Sequence, residues 1–242
     1  MQNAARRVHE LAVALDIVSV VEWSRAMHAE LGSLKLLEHS FFTEDPKSAG
    51  AVQYMDGVPG EHNEGYLLLA KRPIESRETI FGAMKSDTDN AVQIAKIDGK
   101  VFVNVHAPGA ENPKAPSIQQ IAGIVKRVQE ENPEAPVFVM GDLNQEPDFV
   151  RPRMEQMCAE GRDLHAMPSS YLTSAVNGPW QGNPSYATSP RPAEFIQIWA
   201  FIPKGPEFKF EQSLALLSRA EQATIEVCGL AKEKQEKLAR RS

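Results

Sequence analysis

The tetrapeptide Gly141-Asp142-Leu143-Asn144 follows the apolar run Val137-Phe138-Val139-Met140 without a gap. A side chain at the mouth of a strand is held rigidly, and the sites of α/β proteins collect at such strand ends. Asp142 supplies a carboxylate suited to a metal or a water, and Asn144 an amide suited to a phosphate oxygen. The plainer reading is a turn, because Gly, Asp and Asn are turn formers. His106 closes a second apolar run, Val103-Asn104-Val105, just before Pro108-Gly109; a lone histidine there is more often structural than reactive. Glu22 ends Ile17-Val18-Ser19-Val20-Val21, where a carboxylate suits a hard cation such as Mg²⁺ or simply faces solvent. Glu64 precedes Tyr66-Leu67-Leu68-Leu69. It can hydrogen-bond a histidine and raise its proton affinity, or it can be an ordinary loop acid.

The elements that must position these residues alternate between strand and helix patterns. Val8, Leu11, Ala12 and Leu15 recur at helical spacing behind Asn3, a good N-cap. The β-branched run over 17–21 reads as a buried strand, and 24–31 as a short helix stopped by Gly32. Residues 51–55, 66–70 and 79–84 read as strands. Val92–Ile97 and Val101–Val105 flank Asp98-Gly99, which predicts a hairpin with a tight primed turn. Ser117, with Gln120 three residues on, predicts a capped amphipathic helix carrying Ile118, Ile121, Val125 and Val128. Pro133 and Pro136 end it. Pro152 suits the first turn of a further helix, closed by Gly161. Residues 166–193, dense in Pro, Gly, Ser and Asn, read as a long irregular loop. Phe195–Phe201 is strand-like, and the chain beyond Ser218 reads as a last helix, with Thr224–Val227 an alternative strand. The order is mixed α/β with hairpins: two sheets covered by helices.

Composition narrows the class. The 242 residues are 42% hydrophobic, enough for a sizeable core. The reading is one domain over 1–242 with a basic tail or helix from about 218. No apolar run reaches the ~20 residues that span a bilayer, so no membrane span is expected. Cys158 and Cys228 are too few for a disulfide framework and read as buried thiols in a reducing, intracellular setting. Net charge is −6; Lys232–Arg241 carries +3, which leaves −9 on the rest. That balance argues against tight nonspecific DNA binding, which draws on basic surfaces. It is compatible with a metal-dependent site that meets one phosphate.

The four sets occur in an order that resembles the endonuclease/exonuclease/phosphatase family. Asp16–Glu22 is similar to the strand ending in that family's metal-binding glutamate. Glu64–Arg72 is similar to the next strand, whose acid orients the catalytic histidine. Val103–His106 resembles the strand carrying that histidine, and Gly141–Asn144 the Gly-Asp-x-Asn signature. Pro184-Ser185-Tyr186 and Phe195–Phe201 fall where the family has a Pro-Thr-Tyr-like turn and an Arg-Ile-Asp-Tyr strand. The match spans about residues 4–202. It implies a two-sheet sandwich flanked by helices, a four-layer α/β fold with the site at one edge. It implies Glu22 as ligand of Mg²⁺ or Mn²⁺, Asp142 positioning or deprotonating the water, and Asn144 on a phosphate oxygen. His106, backed by Glu64, would donate a hydrogen bond or a proton at the phosphate. The implied activity is hydrolysis of phosphodiesters or phosphomonoesters, nucleic acid among the candidate substrates.

Three departures set a second expectation beside this one. The family's Asn-bearing first strand has no counterpart before the first helix. The neutral Gln197 falls where the Arg-Ile-Asp-Tyr aspartate stands, and no Ser-Asp-His closes the chain. A degenerate member, acting as a binding or structural subunit and completed by a protein partner, is the alternative that these departures imply.

Overall fold

The computed structural model describes residues 8–9, 11–13, 15–21, 23, 28–29, 31–32, 39–44, 52–55, 58–61, 65–81, 91–107, 117–143, 145–167 and 196–204. Among them are strands β1 (Ile17–Val21), β2 (Ser40–Thr43), β3 (Val52–Met55), β4 (Val58–Glu61), β5 (Tyr66–Ala70), β6 (Ile74–Ile80), β7 (Val92–Ile97) and β8 (Lys100–His106). Helix α1 (Ser117–Glu131) leads to β9 (Val137–Asp142), then α2 (Pro147–Met157), β10 (Arg162–Met167) and β11 (Ile196–Pro203). The strands form a small sheet in the order β1-β5-β2, a large one in the order β10-β11-β9-β8-β7-β6, and the ribbon β3-β4.

Side-chain alternation assigns the layers. On the large sheet, Val101, Val103, Val105, Val137, Val139, Trp199 and Phe201 face Ile121, Val125 and Val128 of α1 and Val150, Met154 and Met157 of α2. The opposite faces of the same strands send Ala95, Ile97, Phe102 and Met140 against Leu68 and Ile17 of the small sheet. The small sheet turns Val18, Val20, Leu67 and Leu69 outward, onto helical residues Val8, Leu11 and Leu31. Helix, sheet, sheet and helix therefore stack in four layers, each sheet buried on both faces, as the sequence predicts.

Ser19, Asn104 and Gln93 interrupt the apolar inter-sheet face. Ser19 Oγ donates to Asn104 Oδ1 at 2.8 Å, and Asn104 Nδ2 donates to Gln93 Oε1 at 3.0 Å. Gln93 Nε2 then donates to Phe41 O, Thr43 Oγ1 and Tyr66 O at 3.0, 2.9 and 3.2 Å. This polar chain crosses β1, β8, β7, β2 and β5.

The hairpin β7–β8 turns on Asp98-Gly99, both at positive φ (50° and 69°), the primed geometry that the sequence predicts. Other expectations need correction. The strand expected over 79–84 is β6, Ile74–Ile80; it forms the sheet's rim and exposes Glu75, Arg77 and Glu78, so its polar text hides it. Strands β2, β4 and β10 are not anticipated either, and β10 runs to Met167, two residues into the expected loop. In α2 the proline of the first turn is Pro147, and Pro152 lies inside the helix. The Ser117 cap side chain, the Asn3 cap, the 168–193 loop and the segment beyond 204 lie outside the described residues.

Arg162 ties the end of α1, the turn before β9 and the sheet together. The residue is 7% exposed, and its guanidinium donates to five carbonyls. Nη1 reaches Ala135 O (2.8 Å) and Phe201 O (3.0 Å); Nη2 reaches Gln129 O (3.2 Å), Asn132 O (2.6 Å) and Pro133 O (3.1 Å). Burial pushes its pKa below the ordinary value. The carbonyls at the end of α1, the negative pole of the helix, supply the compensation. Arg162→Met is expected to destabilise the fold by about 3 kcal/mol, since several charge-assisted bonds vanish and carbonyls are orphaned. Arg162→Lys recovers little, because an ammonium lacks the planar fork. Urea unfolding of the three proteins measures both effects.

Candidate active site at the ends of two parallel strands

Strands β8 and β9 are the parallel pair in an otherwise antiparallel sheet, connected through α1. A parallel pair requires a crossover of a dozen residues or more, and its two carboxyl ends open at the same edge. In the observed register His106 stands directly opposite Asp142. Ala107 N donates to Asp142 O at 2.8 Å, so pairing continues one residue past the histidine. Asp142 is 7% exposed and His106 half-buried. Both share the inter-sheet face with Asn104 and Met140, at the rim where that face meets solvent.

Gly141 makes this juxtaposition sterically feasible. Its φ is +134°, and a Cβ there would lie 1.9 Å from Val105 O. The backbone of β9 thus approaches β8 more closely than any side chain permits, one residue before Asp142. The glycine of Gly-Asp-x-Asn has a steric cause, not a turn-forming one.

The small sheet ends at the same edge. Val21, the last residue of β1, pairs with Tyr66, the first of β5, and Trp23 N donates to Gly65 O at 2.9 Å. The Tyr66 hydroxyl accepts from Ala91 N at 3.2 Å. Ala91 precedes Val92, whose strand partner is Val105, the neighbour of His106. The backbone flanking Glu22 and Glu64 therefore comes to the level of His106. Glu22, Glu64 and Asn144 themselves lie outside the described residues. Nearby, the His28 ring stacks on Phe42 at 4.3 Å, and burial lowers its pKa, which favours the neutral imidazole.

Gln197 does not stand beside Asp142. It pairs with Gly141, whereas Asp142 pairs with Ile196, so Gln197 lies on the helix-covered face. There it accepts from Trp199 Nε1 at 2.9 Å and donates to Gln145 O at 2.6 Å, which pins the loop between β9 and α2. The expectation that a neutral glutamine replaces a site acid is corrected: this side chain is a strut. The polar chain through Ser19, Asn104 and Gln93 is absent from the sequence reading. Its one signal is an amide at an inward-facing position of each of two apolar strands, β7 and β8.

Asp142 provides a hard-oxygen donor of the kind a divalent cation takes. Among the described residues no three acids, histidines or cysteines cluster as a complete ligand set.

A four-layer α/β sandwich with a histidine and an aspartate side by side at one strand edge defines a known class of fold. The chain belongs to the endonuclease/exonuclease/phosphatase family, whose model matches residues 1–196. No curated protein sequence matches it. Among solved structures it is similar to D. rerio TDP2 complexed with single-strand DNA product, at 15% identity and TM-score 0.54, covering 84% of this chain and 78% of that one. It is also similar to a 3′–5′ exonuclease from Neisseria meningitidis, at 10% identity and TM-score 0.52, covering 82% of each. The human nocturnin catalytic domain follows, at 14% identity and TM-score 0.51, covering 82% and 74%.

Gly141→Ala tests the close approach. It is expected to cost about 3 kcal/mol, combining a disfavoured φ with a backbone collision. Thermal unfolding measures the cost, and amide resonances of residues 104–107 and 140–143 are expected to move more than those of β10.

Proposed function

We propose that the chain is a metal-assisted hydrolase of phosphoester bonds, with phosphodiesters of the nucleic-acid type as the favoured substrate. The observation that carries this reading is the pairing of His106 with Asp142 at the open ends of parallel strands. Asp142 orients and deprotonates the attacking water. His106 donates to a phosphate oxygen, and Glu64 holds its ring. Asn144 binds a second phosphate oxygen, and Glu22 with Asp142 offers carboxylate oxygens to Mg²⁺ or Mn²⁺. When bound, the cation supplies Lewis-acid stabilisation of charge developing on phosphate. Two fold neighbours support the substrate class in their own right, one bound to a single-strand DNA product and one described as a 3′–5′ exonuclease.

The test is turnover of a phosphodiester panel, comprising single-strand and duplex DNA, RNA and an aryl phosphodiester, with and without Mg²⁺ or Mn²⁺. Asp142→Asn is expected to lower metal-dependent turnover by about 10² or more, the range for loss of a general base, and His106→Ala by a similar factor. Glu64→Gln costs less, since it acts through His106. Asp142 is buried and His106 half-buried, so melting temperatures are measured beside turnover to separate lost chemistry from lost fold. Wild-type turnover at background, unchanged by Asp142→Asn, would instead establish the second reading, a degenerate member serving as a binding subunit. Strong activity untouched by Asp142→Asn would reject both.

A further inference from the structure

We propose that Asn104 is a positioning residue for the edge site. Through Ser19 and Gln93 it sets the span between the end of β1 and the His106–Asp142 pair. This inference rests on the hydrolase reading above for its kinetic consequence, although not for its geometry.

Asn104 is 0% exposed and Gln93 1% exposed, both within an apolar inter-sheet layer. Burying amides there is unfavourable unless each donor and acceptor is paired. An apolar pair of similar volume would stabilise at least as well, so stability alone does not explain the amides. What a fully paired polar chain adds is register. Sliding the small sheet along its strands over the large one would carry Asn104 from Ser19 toward Ile17 or Val21, its inward-facing neighbours on β1, and neither carries a donor. The observed stacking is the one in which the Asn104 amide is paired on both sides.

The bonded pair sits at matched depth. Ser19 lies two residues before Val21, where β1 ends, and Asn104 lies two residues before His106, where β8 ends. Two residues of strand advance about 6.6 Å, so both strands leave the sandwich at the same level. On the other side, Gln93 holds Tyr66 O, the start of β5, opposite Val21. One amide chain therefore fixes three strand ends relative to each other. Asn104 touches no substrate in this scheme; it acts by placing His106 relative to the β1 and β5 termini. Misplacing reacting groups by about 1 Å can cost 10²-fold in rate.

The experiment compares wild type, Ser19→Ala, Ser19→Thr and, as a control of equal or larger destabilisation, Val128→Ala in α1. Steady-state kcat and KM, melting temperature and ¹⁵N chemical shifts of the His106 imidazole are measured for each. Ser19→Ala, which deletes the donor to Asn104, is expected to lower kcat about 10-fold with KM within about 2-fold. Its His106 signals should move. Ser19→Thr restores the donor, and with it kcat and the wild-type signals. Val128→Ala lowers the melting temperature but leaves kcat and His106 unchanged well below it. If Ser19→Ala keeps wild-type kcat and His106 shifts, or if the kcat loss tracks melting temperature across all variants, the inference is overturned. If the wild type itself turns over nothing, the hydrolase reading fails; the imidazole signals then judge positioning alone, moved in Ala and restored in Thr supporting it, unmoved rejecting it.

Discussion

The parallel contact between β8 and β9 is the constraint from which the rest of the architecture follows. Two neighbouring strands pointing the same way cannot be joined by a tight turn, so the chain must cross the sheet through α1. That crossover covers one face of the large sheet with Ile121, Val125 and Val128 and leaves the other face for the small sheet. It also delivers two carboxyl-terminal strand ends side by side, which antiparallel neighbours never do. The pairing runs through Val105 and Gly141, where backbone meets backbone at a distance that excludes a Cβ. The backbones of a histidine and an aspartate are thereby held side by side by main-chain hydrogen bonds.

Two kinds of buried polar group divide the remaining labour. Arg162 satisfies four carbonyls where α1 ends and the chain turns toward β9, and a fifth, Phe201 O, on β11, so it ties the helix layer to the sheet. The Ser19–Asn104–Gln93 chain acts between the sheets. Removing either leaves unpaired groups in a dry interior, which is why each is all-or-nothing. Hydrophobic contact decides that the layers stack; these bonds decide at which offset.

Strands β1, β5, β8 and β9 were legible in the sequence because both of their faces are covered, which forces a continuous apolar run. His106 and Asp142 were legible for the same reason: each is the first reactive group after such a run. The sequence predicts β6 five residues late, since a rim strand writes a polar text on its open side, and it predicts none of β2, β4 and β10, each only four to six residues long. Pro152 misled because a proline inside a helix is rarer than one at its start. Gln197 misled differently. Its position in the string matched a site residue, but alternation sends every second side chain to the other face, and only the register shows which. Ser19, Asn104 and Gln93 are far apart in sequence, and their partnership exists only once the sheets are stacked.

The polar rim strand β6 has a bearing on how the molecule behaves in a crowded solution. Among the described residues no strand pairs with its outer side, which makes it a template on which a foreign strand could grow. Glu75, Arg77 and Glu78 stand exposed along it, and Glu78 is clasped at 2.8 Å by Arg127 from α1. An incoming strand would have to strip water from charges of both signs and displace that clasp, a poor exchange for a few backbone bonds. The same residues that blur the strand's signature in the sequence thus act as a guard against sheet-to-sheet polymerisation, and neutralising them would be expected to show first as lost solubility, before any change in fold.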